Sequence, residues 1–363
     1  MIKAAKRRVH GGIAEPAPEA PARRINAARN PTINDIARLA GVSKKTVSRV
    51  LNRSPLIREN TRALVQNIID EQGYVPDPQA RGLAFRKSFL IGLVYDNPNA
   101  QYIVNMMEGA LDAMRGTEYE LVVHPCNRRN PQLVASVRSF AERQKLHGVI
   151  LLPPVSENNE LTRALSGIGC TYVRVSYGPL DTPQRMVASN DRVAVSEVAN
   201  YLESLGHRRI ALITGPSGFM SAGERRLGFV AALKARGITM APEYIVEGGY
   251  TYESGVACAD MLLAQKPRPT AIFASNDEMA AGIYRSAQRL GLAIPGDLSV
   301  IGFDDGPLAE RLLPSLTTVR LPIRDIGRIA ATRLLLGETG SGDASPLAPH
   351  LVVRDSCQPP KTP

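Results

Sequence analysis

From residue 89 to about residue 340 the chain alternates between two hydrophobic periods, and that alternation restricts its fold more than any other feature. Apolar runs of strand length fall at 90–94, 121–123, 149–152, 172–175, 210–214, 271–274 and 298–303. Amphipathic helical stretches lie between them, near 101–114, 131–143, 192–205, 222–236, 252–264 and 277–290. Short, continuously apolar strands joined by helices imply parallel sheets covered on both faces. The span is too long for one sheet of ordinary width, so two similar open α/β lobes are expected. A ligand cleft then belongs at the carboxyl ends of the strands.

Residues 31–72 read differently. Thr32 is placed to cap a short helix whose buried face is Ile33, Ile36, Ala37 and Ala40. Gly41 ends it, and Ser43 is placed to cap a second helix that buries Val47, Val50 and Leu51. A third helix over about 58–72 would bury Leu64, Val65, Ile68 and Ile69 and stop at Gly73. Two short helices around a glycine turn form a helix-turn-helix, which lays its second helix in the major groove.

The distribution of charge agrees with that reading. Residues 1–88 hold 17 basic and 7 acidic side chains, and the rest of the chain holds 27 of each, so the whole excess of +10 lies in the first quarter. A basic module joined to a neutral body is the footprint of a polyanion-binding head. Residues 1–30, rich in Ala, Pro and Arg and without a period, are either a mobile basic extension or sequence upstream of the true start.

Other classes find little support. No apolar run is long enough to span a bilayer, and no apolar core of about 7–15 residues follows the basic N-terminus, so a cytoplasmic location is expected. Cys126, Cys170, Cys258 and Cys357 are scattered, and the five histidines are isolated; neither a disulfide framework nor a metal site is expected. His207 reads as a turn residue before a strand. The turn at 215–218 lacks the Lys-Ser/Thr of a phosphate-binding loop. No cofactor is expected, and no nucleophile or acid/base grouping marks an enzyme.

In the second helix Lys44, Lys45, Ser48, Arg49 and Asn52 face outward. Lys44, Lys45 and Arg49 suit base edges, while Thr46, Ser48, Asn52 and Thr61 suit phosphates. The run Ala40-Gly41-Val42-Ser43, with Thr46-Val47-Ser48-Arg49-Val50-Leu51-Asn52, resembles the lactose-repressor (LacI/GalR) family of bacterial regulators. The resemblance implies a small all-α helix-turn-helix DNA-binding domain (31–75), a hinge (76–88) and an α/β two-lobed periplasmic-binding-protein-like sensor (89–357). In the hinge, Leu83 matches a leucine that wedges into the minor groove, and Ala80 matches the small residue that lets paired hinge helices approach.

In the sensor, the runs through Gly215-Pro216, Glu224-Arg225-Arg226, Ala274-Ser275-Asn276-Asp277 and Phe303-Asp304-Asp305 carry the likeness. It implies effector contacts from Arg225, Asn276 and Asp304 on the far lobe, with Tyr250 stacking on the ligand. On the near lobe, Tyr102 and the pair Asp96 and Asn97 lie in the loop and helix after the first strand. Ser176 stands where the family is often acidic. Arg225 opposite Asp304 would form a charged fork for a polyhydroxylated ligand. Each residue has a plainer reading: an intralobe ion pair for Arg225, loop satisfaction for Asn276 and Asp304, and core for the tyrosines. Asp277 is expected to cap the following helix.

The implied protein is a homodimer that binds operator DNA under control of a small effector, a sugar or oligosaccharide. A purine or nucleoside corepressor is the alternative, and a soluble ligand-binding protein is a rival of another class. Residues 337–363 carry no leucine heptad, which favours a dimer over a tetramer.

Overall fold

The computed structural model describes residues 31–51, 54–75, 89–337 and 347–361. The expectations for residues 1–30, Asn52, and the hinge with Ala80 and Leu83 lie outside those residues. The chain forms two compact units with their boundary near residue 86.

The small unit holds α1 (Ile33–Leu39), α2 (Lys44–Leu51) and α3 (Glu59–Gln72). Ile36, Ala37, Ala40, Val47, Val50, Val65 and Ile69 form its core, with Ile33, Leu51 and Ile68 partly buried around it. The apolar faces are those the helical period marks, except that Leu64 points to solvent at 49% exposure. It lies one residue before Val65, about 100° round the helix from the seam. Thr32 is the N-cap of α1, as expected. Asp35, three residues on, completes a capping box, its carboxylate accepting from both the backbone N–H and the hydroxyl of Thr32, at 3.0 and 2.7 Å. Ser43 does cap α2, its Oγ accepting from Thr46 N at 3.1 Å. Gly73 closes α3 in the left-handed conformation, with Tyr74 N donating to Ile69 O.

The large unit contains two sheets of the same winding. In the first lobe β1 (Leu90–Tyr95), β2 (Glu120–Pro125), β3 (Gly148–Leu151), β4 (Thr171–Ser176) and β5 (Met186–Ala188) lie in the order β2-β1-β3-β4-β5, all parallel. Helices α4 (Ala100–Met114), α5 (Leu133–Gln144) and α6 (Asn159–Gly167) connect them.

The second lobe opens with α7 (Asp191–Ser204). It continues through β6 (Ile210–Thr214), α8 (Met220–Lys234), β7 (Ile245–Glu247), α9 (Tyr252–Leu263), β8 (Ala271–Ala274), α10 (Asp277–Arg289), β9 (Ser299–Asp304), α11 (Pro307–Arg311) and β10 (Thr317–Arg320). The order β7-β6-β8-β9-β10 repeats the first lobe, and β11 (His350–Val352) adds an antiparallel edge to β10. Strands buried along their length, such as β3, β6 and β8, confirm sheets covered on both faces.

Three connections join the lobes: β5 to α7, β10 to a last helix α12 (Ile323–Leu336), and α12 back to β11. At the first and third, Ser189 and Leu347 form a bridge. Helix α12 packs on α4 of the first lobe through two glycines. A Cβ at Gly109 would lie 1.9 Å from Arg324 O, and one at Gly327 would lie 2.3 Å from Met106 O. The helices therefore touch backbone to backbone, and no larger residue fits at the crossing.

His207 is more than a turn residue. It is buried, its Nδ1 lies 2.8 Å from Thr270 Oγ1, and its Nε2 lies 3.0 Å from Gln358 O and 3.1 Å from Ser299 Oγ. The ring thus ties the C-terminal segment to the start of two strands. Burial pushes its pKa below the usual value, partly offset by the Gln358 carbonyl. The unfolded chain then takes up the proton more readily, so stability is lost as pH falls below about 6.5. His207→Asn should be less stable than wild type at pH 7.5, and the difference in melting temperature should narrow at pH 5.5. A constant difference across that range would contradict the buried neutral imidazole.

Candidate functional site

The reading head offers a cationic surface. Ser43, Lys44 and Lys45 are exposed at the N-terminal end of α2, while Thr46, Ser48 and Arg49 are half-buried further along it. Among the described residues no ion pair engages Lys44, Lys45 or Arg49, so their charge is available to a polyanion. Thr46 and Ser43 share a hydroxyl hydrogen bond of 2.9 Å. Thr61 and Thr32 are half-buried at the starts of α3 and α1.

The cleft lies within the large unit, where loops beyond the strands' carboxyl ends converge from both lobes. It is lined by Asn97, Asn99 and Tyr102 after β1, Pro153 after β3 and Tyr177 after β4. From the second lobe come Phe219, Ser221 and Arg225 after β6, Tyr250 after β7, Asn276 after β8 and Asp304 at the end of β9. The central space is only about 20 Å³, room for about one water. An adjoining cavity of about 220 Å³ shares Asn99, Tyr102 and Asp304 and opens between α4 and α11.

Contacts across the cleft hold it in this narrow form. Asn99 Nδ2 donates to Asp304 Oδ2 at 3.0 Å. Met220 N, in the first turn of α8, donates to Glu157 of the first lobe at 3.0 Å, where the helix dipole favours a carboxylate. Arg128 donates to Gly218 O and lies over the Phe219 ring, 4.7 Å from its centroid.

The sequence-derived residues separate into two groups. Asn97, Tyr102, Arg225, Tyr250, Asn276 and Asp304 come together in the cleft. Asp96 and Ser176 do not line it. Asp96 accepts from Arg128 N at 2.8 Å and so ties the loop after β1 to the loop after β2, while the Ser176 hydroxyl donates to Gly178 O at 2.7 Å within its own loop. The wall expected from Ser176 comes instead from its neighbour Tyr177.

The expected fork of Arg225 with Asp304 is replaced by a different pair. Arg225 Nε donates to Asp191 Oδ2 at 2.7 Å and Nη1 to Ser275 O at 2.6 Å, and the guanidinium lies 3.5 Å from the centroid of Phe303. Both members are buried, at 4% and 1% exposure. Burial opposes the Arg225 charge, and Asp191 more than restores it, so its pKa is raised. Among the described residues Asp304 has no such ion-pair partner. Burial, only partly offset by Arg225, pushes its carboxyl up to about 7.

Asn276, not Asp277, caps α10: its Oδ1 accepts from Met279 N at 3.0 Å and its Nδ2 donates to Tyr250 O at 2.9 Å. Asp277 is spent inside the lobe, accepting from the Thr318 hydroxyl and from Gly306 N. The Tyr102 hydroxyl is buried without a well-aligned hydrogen-bond partner among the described residues. Tyr250 and Asp304 also carry positive φ, 62° and 110°, in a region unfavourable to residues with a Cβ.

Sequence reading missed Asn99, Tyr177, Phe219, Ser221 and Asp191. A signal existed for three of them. Asn99 precedes an amphipathic helix and caps it, accepting from Tyr102 N. Tyr177 and Phe219 are aromatic residues just beyond strands, where a buried ring has no sheet to cover.

A helix-turn-helix head joined to a two-lobed receptor defines a DNA-binding regulator with a periplasmic-binding-protein-like body. Comparison with known proteins agrees. Residues 32–77 match the family model of bacterial regulatory proteins of the lacI family, and residues 199–357 match a periplasmic binding protein-like domain. The chain is 34% identical over 309 residues to a probable HTH-type transcriptional repressor, ExuR, of Bacillus subtilis, covering 84% of this chain and 90% of that one. It is similar to the solved CelR–cellobiose complex at 30% identity and a TM-score of 0.66, covering 90% of this chain and 99% of that one. It is also similar to the lac repressor dimer bound to operator and the anti-inducer ONPF, at 26% identity and a TM-score of 0.78, covering 91% and 100%. The chain belongs to the LacI family and is a DNA-binding transcriptional regulator.

Removal of the Asn276 side chain should cost about 1–3 kcal/mol, because it leaves a helix N–H and a buried carbonyl unpaired. Thermal or urea unfolding of Asn276→Ala measures this, and a loss below about 0.5 kcal/mol would contradict the capping role.

Proposed function

We propose that this chain acts in the cytoplasm as an operator-binding homodimer whose affinity for DNA is set by a carbohydrate held between the lobes. In this reading residues 31–75 are the reading head, 76–88 the hinge and 89–357 the effector-binding and dimerisation domain. The observation that carries it is the joining, in one chain, of a cationic helix, free of ion pairs among the described residues, to a cleft of aromatic walls and hydroxyl or carboxylate acceptors. Tyr102, Tyr177, Phe219 and Tyr250 supply apolar faces for sugar C–H groups. Asn97, Asn276 and Asp304 supply polar edges.

Lys44, Lys45 and Arg49 read bases; Thr32, Ser43, Thr46, Ser48, Asn52 and Thr61 fix the backbone; Ala80 and Leu83 belong to the hinge's minor-groove contact. Asp96 and Ser176 drop out as direct effector contacts. The solved CelR structure holds cellobiose and the lac repressor is a dimer on its operator, and both lend weight by similarity. No catalytic role is assigned to the cleft.

A sugar that bridges the cleft binds one lobe arrangement better than the other and shifts the population toward it. In footprinting of the chain's own upstream region, palindromic and salt-sensitive protection is expected. Lys45→Ala and Arg49→Ala should each weaken it by about 1–3 kcal/mol and relax base preference. Asp304→Ala should keep operator binding and lose the response to the sugar. Absence of any site preference over random duplex would overturn the reading.

Dimerisation has its own support. Leu313 is 89% exposed beside Leu312, Pro314, Tyr284 and Leu292 on the second lobe. A contiguous apolar patch of this kind calls for a cover. Leu313→Glu is expected to shift the chain to monomer by light scattering and to weaken operator binding roughly 10²-fold or more, through lost avidity.

A further inference from the structure

Resting on the carbohydrate reading above, we infer that the cleft admits only effectors without negative charge: neutral sugars bind, and uronic acids and sugar phosphates are rejected. The reason lies in which charges are already spent. Among the described residues Arg225 is the one cation lining the central space, and its charge is matched at 2.7 Å by Asp191. A ligand anion there meets a neutral pair, not a cation.

The groups left open are of the other kind. Asp304 Oδ2 is held by Asn99, and among the described residues no hydrogen bond is made to Oδ1, so it can accept from a ligand. The Tyr102 hydroxyl lines both cavities beside that of Tyr177 without a well-aligned partner among the described residues, and the hydroxyls of Ser221 and Tyr250 lie 3.2 Å from each other. Asp277 and Glu278 face the adjoining cavity beside Asp304. The cations near the mouth are poor substitutes: Arg128 is occupied by Gly218 and Phe219, and Arg311 is exposed, where water and salt screen it. A carboxylate or phosphate in the central space would therefore be desolvated beside a pair already neutral, with no unmatched cation among the described lining residues to receive it. A neutral polyol donates to Asp304 and lays its apolar face on the tyrosines.

The test is calorimetric titration of the full chain with matched sets: each neutral hexose or disaccharide, its uronic acid and its phosphate ester. At least one neutral sugar should bind, with its acid and its ester roughly a hundredfold weaker or more. In Asp191→Asn the Arg225 charge is unmatched, so the acid should gain at least about tenfold relative to the neutral sugar. Asp304→Asn, which keeps the shape, should narrow the same discrimination if the first variant fails to fold. An acid or ester that binds wild type as tightly as its neutral partner overturns the inference and leaves the carbohydrate reading standing. Failure of every sugar, neutral or acidic, overturns both.

Discussion

The buried pair of Asp191 and Arg225 is the contact on which the receptor's architecture turns. Asp191 is the first helical residue after the chain leaves the first lobe, and its other carboxylate oxygen accepts from Ser189 in the connection itself, at 2.7 Å. Arg225 comes from α8 and reaches the β8–α10 loop through Ser275 O. One ion pair thus joins an interlobe connection, two helices and the loop that carries Asn276. Removing either partner would leave an uncompensated buried charge, a cost of about 3–5 kcal/mol in comparable cases. The same pair neutralises the cleft's floor, so one contact bears on both the architecture and the charge of the cleft.

Around that pair the lobes differ in what they contribute. The second lobe supplies most of the polar groups, already oriented by its own helix caps and strand ends. The first supplies aromatic and amide side chains from α4 and the loops after β1, β3 and β4. Asn99, Glu157 and Arg128 reach across from the first lobe to the second, each to a fixed acceptor or donor. Separation of the lobes would expose α8's first turn and leave the Glu157 carboxylate without its N–H. The narrow form is therefore stabilised by contacts outside the central space.

The fold was largely legible because its signals are local. Strands such as β6 and β8 are continuous apolar runs, and α4, α9 and α10 show a clear helical period. The elements that escaped are three- or four-residue strands (β5, β7, β10 and β11) and α6, α11 and α12, whose identity depends on what they pack against. The site was legible only in part. Resemblance placed Arg225, Tyr250, Asn276 and Asp304 in the cleft, but not the partner of Arg225, which sits 34 residues away in sequence. The role of His207 was hidden for the same reason, since its partners lie at 270, 299 and 358.

The path of α12 has a consequence for how such a chain is made. Its seat on the first lobe is shaped by Gly109 and Gly327, more than two hundred residues apart. A nascent first lobe emerging from the ribosome would hold α4 with one side bare until nearly the entire polypeptide had been synthesised. Completion of the first lobe therefore waits on the last helix of the large unit, whatever part of it forms earlier.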